Sequence, residues 1–132
     1  MTASNKSPLP VIWFALTVSV TLYGVIAYVM APAGEQPFDA AFSNPIILAL
    51  HIAGIGMFVM SFVLSSMLMK RSSNVRGAMI VRWAMIESAA VFGLLAAFIG
   101  NDVRLFIPLG ALAIAGMLMA YPRSEDSPLT SS

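Results

Sequence analysis

Four apolar stretches, 10–30, 45–69, 78–99 and 103–121, fill most of the 132 residues and leave only short polar breaks between them. Each comes close to the ~20 residues that a helix needs to cross a ~30 Å hydrocarbon core. A segment surrounded by lipid must satisfy its backbone polar groups internally, which selects helices. The period-two alternation of a membrane barrel is absent from the sequence. Hydrophobic residues make up 59% of the chain and charged ones 10%, against roughly 25% charged in soluble domains. So few charges cannot clothe a water-soluble surface. The expected fold is therefore all-α: one domain, an integral membrane four-helix bundle running up-down-up-down.

The breaks carry start and orientation signals. Ser43-Asn44-Pro45 places cap residues before a proline suited to a first helical turn. Pro108 falls early in the fourth stretch, where proline disrupts least. Lys6, then Lys70, Arg71 and Arg76, then Arg123 flank one side, whereas the other has Arg104 with Glu35, Asp39 and Asp102. Basic residues mark the cytoplasmic face, so both termini are expected in the cytoplasm and the expected location is the cytoplasmic membrane. Trp13, Trp83 and Tyr121 then fall near the inner interface, and Tyr23, Tyr28 and Phe106 towards the outer one.

Residues 31–44 read as an outer loop in preference to a short segment lying on the membrane. Residues 1–9 and 122–132 are polar and serine-rich, and are expected to be disordered. Ala31-Pro32-Ala33 resembles a cleavage site, but the apolar run from Val11 to Met30 exceeds the ~7–15 residues of a signal core, so it reads as a retained span. With no cysteine and no glycine at position 2, lipidation signals are lacking.

Composition narrows the chemistry. Without cysteine there is no disulfide, thiolate metal site or thiol nucleophile, and a single histidine cannot form a bis-histidine site. No metal or cofactor is expected. A net charge of +1 argues against a nucleic-acid footprint.

One ionisable residue lies deep within an apolar run. Glu87 is about nine residues into the third stretch, hence ~14 Å from its end at 1.5 Å per residue. An acid at such depth is costly and normally faces protein or water. Counting outward from the loops near Ser73 and Asn101 places Met60, Ser61, Gly116 and Met117 at the same height, and counting through the outer loop adds Thr17. Glu87, Ser61 and Thr17 are thus the ion- or proton-binding candidates. Arg82 is offset from Glu87 by ~140° around the helix, so it is expected to snorkel outward, and a direct ion pair requires bent side chains or a neighbouring chain. His51 lies too far along the axis for a His–Glu dyad and is expected to bond Tyr28 or a loop carbonyl. Gly54, Gly56, Ser88, Gly93 and Gly116 are helix-packing candidates, because small residues spaced by four let helices approach closely.

The stretch Arg82-Trp-Ala-Met-Ile-Glu87-Ser-Ala-Ala-Val-Phe92-Gly93-Leu-Leu resembles the carboxylate-bearing helix of rotary ATPase c-type (proteolipid) subunits. Gly54-x-Gly56 and the basic loop Lys70–Arg76 extend the likeness over roughly residues 46–100. The resemblance implies a proton or sodium ion carried by Glu87 in an oligomer. The whole chain also resembles uncharacterised small four-span bacterial membrane proteins, through Arg82, Ala84, Glu87 and Pro122, which implies a fold and no activity. No nucleophile–base pair or metal cluster points to an enzyme. The expectation is a non-enzymatic accessory or structural subunit of a membrane complex, with the lipid bilayer, a membrane-protein partner or further copies of itself as partners. The alternative is a proton- or cation-translocating oligomer using Glu87.

Overall fold

A computed structural model describes residues 8–71 and 75–122. Lys6, Arg123, the loop around Ser73 and most of the two expected disordered ends lie outside the described residues. The described chain is helical without a strand: α1 (Leu9–Met30), a 3-10 turn (Phe38–Ser43), α2 (Pro45–Arg71), α3 (Val75–Gly100), a second 3-10 turn (Val103–Leu105) and α4 (Ile107–Met119). The first three long helices are apolar enough to cross a membrane.

The fourth element departs from the expected span 103–121. Its α-helix holds 13 residues, about 20 Å of rise, against 27 in α2 and 26 in α3. The chain before it is committed to capping. Asn101 adopts a left-handed φ of 50°, while Asp102 N–H bonds Ala97 O at 3.0 Å and Asn101 N–H bonds Phe98 O at 3.3 Å. This is the Schellman closure of a helix, with asparagine in the left-handed position. The Asp102 carboxylate then accepts from Arg104 N–H at 3.0 Å and starts the 3-10 turn. Residues 103–106 are consumed by these two devices, so α4 begins late.

Three smaller corrections follow the same logic. Leu9 is helical and buried, with Pro8 as its cap, and Pro122 is buried, so the expected disordered ends stop short of both. The outer loop 31–44 contains a 3-10 turn, with Phe38 edge-on to Phe42 at 5.2 Å. α3 begins at Val75 rather than at 78. At the start of α2, Asn44 Oδ1 accepts from Ile46 N–H at 2.9 Å, satisfying a donor that helix geometry leaves unpaired.

α3 is the hub, packing against α2, α1 and α4, and α4 in turn touches α1 and α2. α1 and α2 therefore flank the α3–α4 pair. Trp83, Ile86, Ala90 and Ala97 of α3 meet Ala113 and Met117 of α4 and Val20 and Ala27 of α1 in the core. Phe106, expected at the outer interface, is buried in that core, its ring lying 3.2 Å from where a Cβ on Gly24 would stand. Trp83, expected at the inner interface, is also fully buried. The opposite faces of α1 and α2 expose Phe14, Leu22 and Val25, and Ile52, Val59 and Val63.

Candidate functional site

Glu87 stands midway along α3, as the depth argument requires, and its partner is Tyr23. The Tyr23 hydroxyl donates to Glu87 Oε1 over 2.7 Å, joining α1 to α3. Side chains on a helix lean towards its N-terminus. Tyr23 therefore delivers its hydroxyl well below its own Cα, down to the level of the acid.

Thr17 and Ser61 do not join that contact. The Thr17 hydroxyl bonds Trp13 O at 2.8 Å and the Ser61 hydroxyl bonds Phe58 O, each within its own helix. A hydroxyl in an apolar run has a backbone carbonyl one turn back always within reach, and level-counting cannot see that competition. Gly116 does reach the expected height. A Cβ there would meet the ring of Phe58 and, at 3.3 Å, Ile86, so Gly116 admits an aromatic ring from α2 rather than a polar partner.

Arg82 turns the other way from Glu87. Its Nε donates to Ser65 Oγ at 2.8 Å and its guanidinium lies 5.0 Å from the centroid of the Phe62 ring, both on α2. Arg82 and Glu87 of α3 thus serve different neighbours, α2 and α1, in keeping with their angular offset.

The packing glycines divide. Gly54 faces Leu109, and a Cβ on Gly54 would stand 2.8 Å from each Leu109 Cδ atom, whereas nothing stands within 4 Å of such a position on Gly56. Gly93 closes on Leu109 and Phe106. Ser88 bonds its own Ala84 O at 2.9 Å. His51 bonds a turn carbonyl, with Nε2 3.0 Å from Leu105 O and Nδ1 3.0 Å from Ile47 O; Tyr28 is 74% exposed.

Two arrangements escaped sequence reasoning. The first seals the short fourth helix, whose last carbonyls have no intrahelical donors. Trp13 Nε1 donates to Met117 O at 2.6 Å, and Trp83 Nε1 to Ala120 O at 2.9 Å. A tryptophan inside an apolar run carries one donor that must be spent, which was the available signal. The second is a clasp between two connections. The Arg104 guanidinium pairs with the buried Asp102 carboxylate at 2.7 Å and donates to Gln36 O at 2.6 Å, tying the α3–α4 turn to the α1–α2 connection. Hydrogen bonds from Arg104, with help from the Gly34 and Arg104 backbone N–H groups, hold the Asp102 carboxyl down to about 2 against the opposing effect of burial.

Reactive chemistry is scarce around these contacts. A groove of about 510 Å³ between α1 and α4 is walled by Val20, Gly24, Phe106, Gly110, Ile114 and Leu118, and the Thr21 hydroxyl on it bonds Thr17 O. Among the described residues no three His, Cys, Asp or Glu side chains gather into a metal site. Comparison with protein families, characterised proteins and solved structures returned no match for this chain.

Proposed function

We propose that this chain is a multi-pass membrane protein of the bacterial inner membrane, with cytoplasmic ends, acting as a non-enzymatic accessory subunit of a membrane complex. The observation that carries this reading is the pair of long apolar faces on α1 and α2 turned away from the α3–α4 core. Such faces require lipid or partner helices. Some polar groups within the bundle join helices to one another, as Tyr23 does with Glu87 and Trp83 with Ala120.

The natural absence of cysteine makes the test direct. Single cysteines at Ala33 and Arg71 should react with an impermeant thiol reagent from opposite sides of sealed vesicles; labelling from one side sinks the topology. A photoreactive residue at Val59 should yield one discrete protein adduct in native membranes, and adducts with lipid alone would overturn the subunit role.

A second reading has one specific observation in its favour. Glu87, at mid-length on a helix resembling that of proteolipid subunits, is held by a group from a neighbouring helix. Under this reading the protein moves protons or cations as an oligomer. Reconstituted Glu87→Gln protein should then lose all ion flux; flux equal to that of the native chain rejects it.

A further inference from the structure

His51 is the sole histidine, and it is buried on α2 nearly two turns from Pro45. Both of its ring nitrogens face carbonyl oxygens at 3.0 Å: Nδ1 that of Ile47 on its own helix, Nε2 that of Leu105 in the turn leading to α4. The Phe42 ring stands edge-on against the imidazole at 4.8 Å, on the side of the outer connection.

A carbonyl oxygen only accepts, and a neutral imidazole has a single N–H. In the neutral ring one nitrogen lone pair must therefore point at a carbonyl lone pair, whichever tautomer forms. Only the imidazolium donates in both directions. Two carbonyl oxygens aimed at the ring also supply an acceptor for each N–H of the imidazolium.

We infer that His51 is a proton-binding site whose occupancy fastens α2 to the turn that begins α4. The proton adds to the free ring nitrogen and no other bond changes. With the ring doubly protonated, both contacts hold. On loss of that proton one contact becomes repulsive and the ring leaves the position that satisfies both.

The surroundings leave the proton little competition. α2 has no other ionisable side chain from Pro45 to Met69, and α3 has none from Ser88 to Gly100. Asp39 belongs to the exposed Phe38–Ser43 turn. Asp102 and Arg104, on the turn with Leu105, are spent on each other. This inference stands apart from the proposed subunit role and can fail without it.

The experiment uses the full chain in lipid nanodiscs. Histidine-selective 15N labelling reports His51 alone. Leu105-Phe106 is the single Leu-Phe pair in the sequence, so combined 13C-leucine and 15N-phenylalanine labelling isolates the Leu105 carbonyl. As the pH is lowered, the non-protonated ring-nitrogen signal should disappear while the Leu105 carbonyl resonance shifts in step. His51→Phe, which keeps the ring contact and takes no proton, should abolish that carbonyl shift. A ring that retains one bare nitrogen throughout, or that gains its second proton while the Leu105 carbonyl stays still, overturns the proposal.

Discussion

Tyr23 and Glu87 form a hydrogen bond of 2.7 Å between two helices that do not follow one another in the chain. α1 and α3 run in the same direction, because Trp13 and Trp83 reach the end of α4 while Gly24 and Gly93 lie against Phe106 at its start. The bond therefore fixes their relative height without help from a short loop. It also gives an acid midway along α3 a partner inside the protein.

Removing the donor should cost stability in proportion to that bond. Tyr23→Phe is expected to lose about 0.5–1.5 kcal/mol, the usual net value of an intramolecular hydrogen bond, read from reversible unfolding in mixed micelles. Glu87→Gln should lose less, because the amide oxygen still accepts. In a Glu87→Leu background Tyr23→Phe should then cost nothing further. Equal costs in both backgrounds would remove the bond from any stabilising role.

The indole bonds to α4 give a second expectation. Trp83→Phe leaves Ala120 O without its donor inside an apolar core, an omission worth about 1–3 kcal/mol; Trp83→Ala adds a cavity and should reach about 3–5 kcal/mol. Amide exchange in the last turn of α4 should accelerate in both variants. Trp13→Phe should act in the same place but more weakly, since Trp13 is only half-buried. Unchanged exchange in that turn would show that the carbonyls are satisfied otherwise.

What could be read from the sequence were the properties that hydropathy and periodicity determine. The three long helices, the cap at Asn44 and the divergence of Arg82 from Glu87 all follow from composition, turn chemistry and 3.6-residue geometry. Tyr23 could not be placed, because level-counting treats a side chain as a point at its Cα. A tyrosine instead reaches over a full turn of the neighbouring helix. The shortening of α4 was hidden for another reason. The apolar run continues unbroken through Val103–Phe106 save for Arg104, yet Asp102 and Asn101 impose a cap and a 3-10 turn on it. Local hydrogen bonding decided the backbone there, and hydropathy carries no record of it.

The glycines of α2 and α4 should separate sharply under substitution. Gly110→Ala would drive a methyl into the Phe106 ring, and Gly54→Ala into Leu109 at 2.8 Å. Overpacking of this kind costs about 1–3 kcal/mol. Gly56→Ala meets open space and should instead stabilise by up to about 1 kcal/mol through helix propensity. Thermal unfolding of the three variants checks the order. A Gly56→Ala variant as damaged as Gly110→Ala would mean that α2 is covered at that position by something beyond this chain.

The Asp102–Arg104 clasp predicts an acid-labile component of stability. The Asp102 carboxyl titrates at about 2 in the folded chain and near 3.9 when unfolded. Its folded value is the lower one, so the unfolded state takes up protons first as the pH falls. The stabilisation is complete above about pH 4 and is lost between about pH 4 and pH 2. With Arg104 partly exposed, solvent screening reduces the contribution to about 1–2 kcal/mol. Asp102→Asn should remove that slope, lower stability at neutral pH and leave the two variants nearly equal at about pH 2. It should also release Arg104 from its bidentate grip, exposing the connection at Gly34–Gln36 to faster amide exchange. A native chain whose unfolding midpoint is flat from pH 4 down to pH 2 would show that the Asp102–Arg104 pair closes the outer end without stabilising it.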